Sequence, residues 1–175
     1  MLFRAFKTCD IVPLIAAYKS YILPIADYCS SVWSPYLIGD IYAIESIQRT
    51  FTRKINGMKN IAYTDRLKIL NLPSLELRRL RADLLMCFKI INGLVAGDLV
   101  NYGMILANLN SNTRGHRQKL FIDHTKIEVR KHFFANRIAR PWNSLPADLI
   151  DSDSIFTFKR GLAKANLDKY LSQCF

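Results

Sequence analysis

Residues 72–93, LPSLELRRLRADLLMCFKIING, form the most regular pattern in the chain. Ser74 is a residue type that caps helices, because its hydroxyl accepts a backbone N–H that lacks an intrahelical partner. Gly93 is typical of the position just after a helix, where φ is positive. Between them, apolar residues recur at steps of three and four at Leu77, Leu80, Leu84, Phe88 and Ile91. The stretch therefore predicts one long amphipathic helix.

This predicted helix also has a basic side. Arg78, Arg79 and Lys89 fall away from the apolar stripe, and Arg81 flanks it. We expect the side opposite the stripe to face solvent. It is the first place where a polyanion is expected to bind.

The positive charge of the chain is concentrated in two blocks. The 175 residues carry a formal net charge of +11. Residues 49–81 hold nine basic and two acidic residues, and residues 114–140 hold eight basic and two acidic. Clustered like charge repels itself unless something neutralises it, so the blocks favour a polyanionic partner. A solvated basic surface with no partner is the alternative.

The first predicted helix begins after Asp10. Pro24 lacks the N–H that a helix interior needs, so an interruption is expected near Tyr21. The apolar stripe of this helix consists of Leu14, Ile15, Tyr18, Ile22 and Ile25. Trp33, which follows it, is interpreted as an anchor for the core.

Two more helices are predicted before residue 72. One is capped by Asp40, ends at Gly57 and buries a second stripe. This stripe consists of Ile41, Ile44, Ile47, Phe51 and Ile55. The other is a short helix capped by Thr64.

The second half of the chain has a weaker pattern. Residues 94–112 are rich in Gly, Asn and Ser and are interpreted as a loop-rich connector. Residues 119–122, KLFI, favour a short strand, and residues 128–140 a helix that Pro141 ends. Ser154 is expected to cap a last helix. The predicted fold is mainly α, with a helical lobe over residues 1–93 and a smaller basic lobe over residues 113–175.

Cysteine spacing and hydropathy bear on the compartment. Cys9, Cys29, Cys87 and Cys174 are far apart and form no CxxC pair. Reduced and mostly buried thiols are expected, which favours a nuclear or cytoplasmic protein over a secreted one. There is no apolar run of about 18 residues, so no membrane span is predicted.

Six phrases in a fixed order resemble the C-terminal region of reverse transcriptases from non-LTR (LINE-type, jockey-like) retrotransposons. They are AYKSYILPIADYCSSVWSPY, IESIQRTFTRKINGMKN, YTDRLKILNLPSLELRRLRADLLMCFKIINGL, TRGHRQKLF, VRKHFFANRIARPWNSLP and SIFTFKRGL. The resemblance implies that residues 1–93 are thumb-like and that the basic region beyond them follows the polymerase palm. It also implies a fragment of a longer polypeptide.

The catalytic motif of that family is missing here. The family has an aromatic-x-Asp-Asp hairpin with a further upstream Asp, whereas the nearest acidic cluster here is Asp151-Ser152-Asp153. Polymerase chemistry needs carboxylates that converge on two divalent ions roughly 4 Å apart. We therefore predict no catalytic residues and no cofactor in this chain, since the divalent metal belongs to the missing palm. This chain alone is not expected to be an enzyme.

Nucleic acid is the partner that charge and resemblance favour, as an RNA/DNA duplex or target DNA held by its phosphates. The candidate binding residues are Arg49, Arg53, Lys54, Arg78, Arg79, Arg81, Arg114, Arg117, Lys119, Arg130, Lys131 and Arg137. The competing hypothesis is a helical protein-interaction module, or an inert remnant, with apolar surfaces that fit the missing palm. The two hypotheses differ in whether the chain binds nucleic acid.

Some aromatic residues could stack on bases, and the histidines could in principle bind a metal. Tyr63, Phe133, Phe134 and Trp142 are candidates for base stacking, with core packing favoured for each. The histidines at positions 116, 124 and 132 are eight residues apart, which is not a zinc-ligand spacing. No metal site is predicted.

Overall fold

The structure, a computed structural model, describes residues 10–107 and 115–172. Over these residues the protein is mainly helical, which confirms the predicted fold class. The helices are α1 (Ile11–Ala17), α2 (Leu23–Asp27), α3 (Ser30–Trp33), α4 (Ile38–Arg53), α5 (Tyr63–Ile69), α6 (Leu75–Ile91), α7 (Glu128–Lys131), α8 (Phe134–Asn143), α9 (Ala147–Ile150) and α10 (Ile155–Lys164). A π-helical turn, Tyr18–Ile22, joins α1 to α2. Short 3-10 turns cover Leu99–Tyr102 and Asp168–Tyr170.

The chain divides into two compact units. The first comprises residues up to Arg79 together with those from Leu171 onward, and the second comprises Leu80–Tyr170. The division falls inside α6. The lobe boundaries drawn from the sequence, at residues 93 and 113, stay a prediction.

The apolar face of the first helical segment changes register at the π-helical turn. Leu14 and Tyr18 are fully buried as predicted, but Ile25 is 77% exposed, so that part of the stripe was wrong. Leu23, five residues after Tyr18, is buried instead. A π turn contains one extra residue, which moves the buried face one position along the chain. The interruption predicted near Tyr21 lies within this turn, which ends two residues before Pro24.

Helix α4 differs from its prediction at both ends and on its buried face. It begins at Ile38, so Asp40 lies in its first turn and is not its cap, and it ends at Arg53. Ile47 is exposed, which contradicts its place in the apolar stripe. The buried face instead combines three completely buried polar residues with apolar ones: Glu45, Gln48 and Thr52 beside Ile41 and Phe51. Hydrophobic periodicity misses such a face because its polar groups are hydrogen-bonded, Glu45 and Gln48 to other elements and Thr52 to Arg49 O of the same helix.

Helix α6 has the ends that its sequence predicted. Ser74 Oγ accepts a hydrogen bond from Leu77 N at 3.2 Å. Gly93 has φ +64°, and Leu94 N donates to Lys89 O at 2.8 Å, which closes the C-terminus in a left-handed turn. Leu84 and Phe88 of the predicted stripe are buried.

The second unit is packed around Trp142. Its side chain is fully buried, with its ring centroid 6.0 Å from that of Phe158. Phe158 in turn stacks on Phe88 at 4.3 Å. Trp33, the other tryptophan, is partly exposed and its indole N–H donates to Tyr28 O, so its interpretation as a core anchor was wrong.

Two further predictions for the second unit need correction. The helix expected over residues 128–140 is two helices, α7 and α8, separated at His132 and Phe133. Pro141 lies inside α8, near its C-terminus, and does not end it. The expected strand at residues 119–122 is reduced to a single antiparallel bridge between Leu106 and Leu120.

Candidate nucleic-acid interface

Three arginines of the first unit lie near one another at the end of α4 and in α5. We call Arg49, Arg53 and Arg66 the arginine cluster. Arg53 is exposed, Arg49 is half-buried, and Arg66 is only 4% exposed. Arg49 Cζ lies 4.8 Å from the ring centroid of Tyr42 and 4.9 Å from that of Tyr63. Arg66 Cζ lies 5.5 Å from the Tyr63 centroid, so two guanidinium groups lie against this one ring.

Among the described residues, the arginine cluster has no acidic counterpart. Within residues 10–107 and 115–172, no carboxylate forms an ion pair with any of its three members. Burial lowers the pKa of the Arg66 guanidinium, Tyr63 opposes this, and the like charges of Arg53 and Arg49 lower it further. The cluster is therefore an accumulation of positive charge that the described part of the protein leaves uncompensated.

Arg66 was not among the candidates named from the sequence. It follows Tyr63 by three residues and precedes Leu70 by four, and all three side chains are buried. This spacing puts them on one face of the short helix α5 and its C-cap residue, Leu70. An arginine on the apolar face of a helix was the signal that could have identified it.

A buried polar network holds Tyr63 in place. The Tyr63 hydroxyl donates to Glu45 Oε1 and accepts from Gln48 Nε2 at 3.2 Å. Gln48 also accepts from the Tyr18 hydroxyl at 3.0 Å and donates to Pro73 O at 2.9 Å. Burial raises the pKa of the Tyr63 hydroxyl, and the neighbouring carboxylate raises it further. The neutral, fixed phenol gives the arginines a rigid aromatic surface.

Arg78 and Arg79 lie elsewhere than the sequence suggested. Arg78 Nε donates to Asp27 Oδ2 at 3.0 Å in a half-buried ion pair. Arg79 is only 2% exposed, and its charge lowers the pKa of the buried Glu45 carboxyl. The expectation that Arg79 lies on the solvent-facing side of α6 was therefore wrong. Its charge acts inside the first unit, where a buried carboxylate needs compensation.

Most described candidates of the second block are bonded to protein groups. Arg130 lies 3.1 Å from Asp123, and Lys131 pairs with Glu128. Arg137 Nε donates to Asp83 Oδ2 at 2.9 Å, with the Asp83 side chain 3% exposed. These three basic residues therefore form ion pairs with acidic residues of the second unit.

Arg81, a candidate from the first block, also belongs to the second unit. Its Nη2 donates to Ala163 O at 2.9 Å. Arg81 was predicted to flank the apolar stripe of α6. In the structure its guanidinium reaches the end of α10. This contact occupies a donor that a phosphate would otherwise use.

The remaining candidates differ in exposure. Lys54 and Arg117 are exposed, and Lys119 is half-buried. Arg114 lies outside the residues that the structure describes. Among the candidates of the first block, Arg49 and Arg53 form no ion pair in the described chain.

The aromatic candidates are mostly core residues. Tyr63, Phe134 and Trp142 are buried, which agrees with the packing interpretation for each. Phe133 is exposed and remains a candidate for stacking.

The cysteines bear out only part of the expectation that they are buried. Cys87 is buried as expected, and Cys29 is exposed. Cys9 and Cys174 lie outside the described residues. Burial raises the pKa of the Cys87 thiol, with a further contribution from Asp83, so this thiol stays neutral inside the second unit.

The described residues offer neither a metal centre nor a membrane-spanning helix. No group of three His, Cys, Asp or Glu side chains among them is arranged to hold a metal ion. None of the described helices combines the length and the apolar character needed to cross a bilayer. His116 is buried, its Nε2 lies 3.2 Å from Trp142 O, and burial lowers its pKa.

Comparison with protein-family models, with curated proteins and with solved structures finds no match for this chain. The class that the fold and the site define is a mainly helical, strongly basic protein. Its distinguishing feature is the arginine cluster at the end of α4.

Proposed function

We propose that this chain binds nucleic acid through the phosphate backbone and performs no polymerisation by itself. The observation that carries the proposal is the arginine cluster, which lacks a carboxylate partner in the described chain. Lys59, exposed and close in sequence, adds to its charge. Positive charge without an internal counterion is what a polyanion stabilises.

The mechanism is electrostatic. Each Lys or Arg that neutralises a phosphate releases condensed counterions, so affinity falls as salt rises. Contacts to phosphates fix the position of the protein on a duplex and carry no sequence information. The chain therefore acts as a passive clamp with little base readout.

The sequence resemblance supports the kind of ligand. In non-LTR reverse transcriptases the corresponding region is the thumb and the segment beyond the palm. A template–primer duplex or target DNA is the ligand that such a region holds. In that family the catalytic carboxylates and the divalent metal belong to the palm, so a primer-extension assay on this chain should give no product.

The proposal is tested by measuring the affinity of the whole chain for a fluorescent RNA/DNA hybrid duplex at several salt concentrations. The dissociation constant should rise steeply between about 50 and 200 mM salt, with little dependence on sequence. An affinity that does not change with salt concentration, or no binding at the lowest salt, would contradict the proposal.

A second candidate function is supported by an accumulation of exposed apolar residues in the first unit. Val32 is 84% exposed, and the others are Val12, Tyr21, Ile25 and Tyr28. Exposed apolar surface of this kind marks protein interaction sites. We propose as the alternative that this region docks another protein domain, such as a palm. Concentration-dependent self-association without nucleic-acid affinity would favour this alternative.

A further inference from the structure

Four guanidinium nitrogens of the arginine cluster are buried without a hydrogen-bond partner in the part of the chain that the structure describes. They are Nε and Nη2 of Arg49 and Nε and Nη1 of Arg66. A buried donor without an acceptor loses its bonds to water and gains nothing in return. When the donor belongs to a cation the loss is larger. Two such groups around one ring are therefore unlike an ordinary solvated arginine.

The nearby carboxylates are engaged elsewhere. Glu45 accepts from the Tyr63 hydroxyl and from the backbone N–H of Leu75. Asp65, next to Arg66 in sequence, pairs with Lys68 at 3.2 Å. Among the described residues, neither acid forms an ion pair with Arg49 or Arg66. The acceptors for these nitrogens have to come from outside the described chain.

We propose that Arg49 and Arg66 bind a single phosphate group of the nucleic acid, with Tyr63 as the rigid surface against which both lie. This inference rests on the proposed function and names the anchoring contact within it. Two planar guanidinium forks match the several oxygens of one phosphate, which accept charge-assisted hydrogen bonds in pairs. Arg53, the exposed member of the cluster, adds a positive charge that acts on Arg66.

The site has the features of one that is prepared before binding. Tyr63 is fixed by Glu45 and Gln48, so the ring on which the two arginines rest does not depend on the ligand. Tyr42 gives Arg49 a second aromatic contact. Cations held over aromatic rings keep their charge while losing little side-chain freedom on binding. The contact is expected to be stronger than one made by an exposed lysine.

The test compares variants that lose the same charge at different places. Arg66→Met and Arg49→Met remove a cluster guanidinium but keep an apolar side chain, and Lys59→Met removes one exposed charge outside the cluster. Affinity for a hybrid duplex is measured at one fixed salt concentration. Cluster variants should weaken binding by about 10-fold or more, as expected for charge-assisted hydrogen bonds, and Lys59→Met by much less.

Thermal unfolding in inorganic phosphate, against chloride at equal ionic strength, gives a readout that needs no nucleic acid. Phosphate should raise the melting temperature of the unaltered chain and leave that of Arg66→Met unchanged, since only a ligand of the native state stabilises it. In chloride, Arg66→Met should be no less stable than the parent, because it removes unsatisfied donors. If Arg66→Met fails to fold, the phosphate site is tested by comparing the duplex affinities of Arg49→Met and Lys59→Met.

The outcomes separate this inference from the proposed function. If the unaltered chain binds the duplex and the cluster variants bind like Lys59→Met, the phosphate site is overturned and nucleic-acid binding stands. If the unaltered chain binds no nucleic acid, both are overturned, even where free phosphate stabilises it.

Oligonucleotides with and without a 5′-phosphate distinguish two sources of the ligand. A preference for the 5′-phosphate that Arg66→Met abolishes identifies a terminal phosphate. Equal affinities that fall together in Arg66→Met identify a phosphodiester inside the strand.

Discussion

Glu45 of α4 accepts a hydrogen bond from the backbone N–H of Leu75, the first residue of α6, at 2.9 Å. It also accepts from Glu76 N at 3.3 Å, so a buried carboxylate of one helix satisfies the open N–H groups of another. An anion at a helix N-terminus is further favoured by the helix dipole. The same carboxylate accepts from Tyr63, which links the start of α6 to the ring that supports the arginine cluster.

Replacing Glu45 should destabilise the first unit. Glu45→Ala leaves the buried N–H of Leu75 and the half-buried N–H of Glu76 without this acceptor, and we expect a loss of about 2–4 kcal/mol in the free energy of unfolding. Urea denaturation followed by circular dichroism measures it. The matched control is Asp40→Ala on the same helix, where the carboxylate is exposed and the loss should be small. Equal losses in the two variants would contradict the role assigned to Glu45.

The protonation of Glu45 should also give stability a defined pH dependence. Burial raises the pKa of this carboxyl above its usual value, although its hydrogen bonds and Arg79 oppose the shift. A raised pKa means that the folded state holds the proton more tightly than the unfolded state. The resulting stabilisation is present below the unfolded pKa and is lost as pH rises through the folded pKa.

The measurement is the stability of the parent relative to Glu45→Gln, which cannot ionise, as pH rises from about 4 to 7. The advantage of the parent over the variant should shrink along this series. An advantage that grows with pH would show that the hydrogen bonds to the carboxylate outweigh its burial.

Arg137 should be structural, although the sequence made it a binding candidate. Its partner Asp83 is buried, so Arg137→Met removes a charged partner from a buried carboxylate and should cost roughly 3–5 kcal/mol in unfolding free energy. Arg130→Met breaks the more exposed pair with Asp123 and should change stability by less than about 1 kcal/mol. Chemical denaturation of the two variants tests this difference. A stable Arg137→Met protein with weakened duplex binding would show that Arg137 belongs to the nucleic-acid-binding surface.

Charge reversal should distinguish buried from exposed arginines and lysines. Arg79→Glu places an acidic group beside the buried Glu45 and should unfold the first unit, because two carboxylates cannot both ionise there without a counterion. Lys54→Glu changes an exposed position and should keep the helical circular-dichroism spectrum while weakening duplex binding. If Arg79→Glu remains folded and loses only nucleic-acid affinity, then Arg79 belongs to the binding surface.

The ends of α6 could be predicted from sequence because they depend on local chemistry. Ser74 and Gly93 each act within a few residues of their own position, and both roles are present in the structure. The register of the first helical segment could not be predicted, since the extra residue of the π turn has no local signature. Pro24 indicated where the irregularity lies but not which residues are buried after it.

The candidate site was harder to predict than the helices. Hydrophobic periodicity assumes that charged residues are exposed, and Arg66, Arg79 and Glu45 are all buried. Each is placed by tertiary packing rather than by its neighbours in sequence. Glu45, for example, lies beside the first turn of α6 only after α4 has packed on it. Charge counts located the first basic block. Only the tertiary structure shows which of its arginines are buried and which are exposed.

The central claim is that the basic end of α4 binds the phosphate backbone, and the most direct measurement is the salt dependence of duplex affinity in two matched variants. One replaces Arg53, Lys54 and Lys59 by Gln, and the other replaces Arg117, Arg130 and Lys131 by Gln. Each variant has three fewer positive charges than the parent. The first should reduce the slope of log affinity against log salt by roughly 0.9 for each phosphate that is no longer neutralised, and the second should change it little. Equal slopes in the parent and the first variant would contradict the claim.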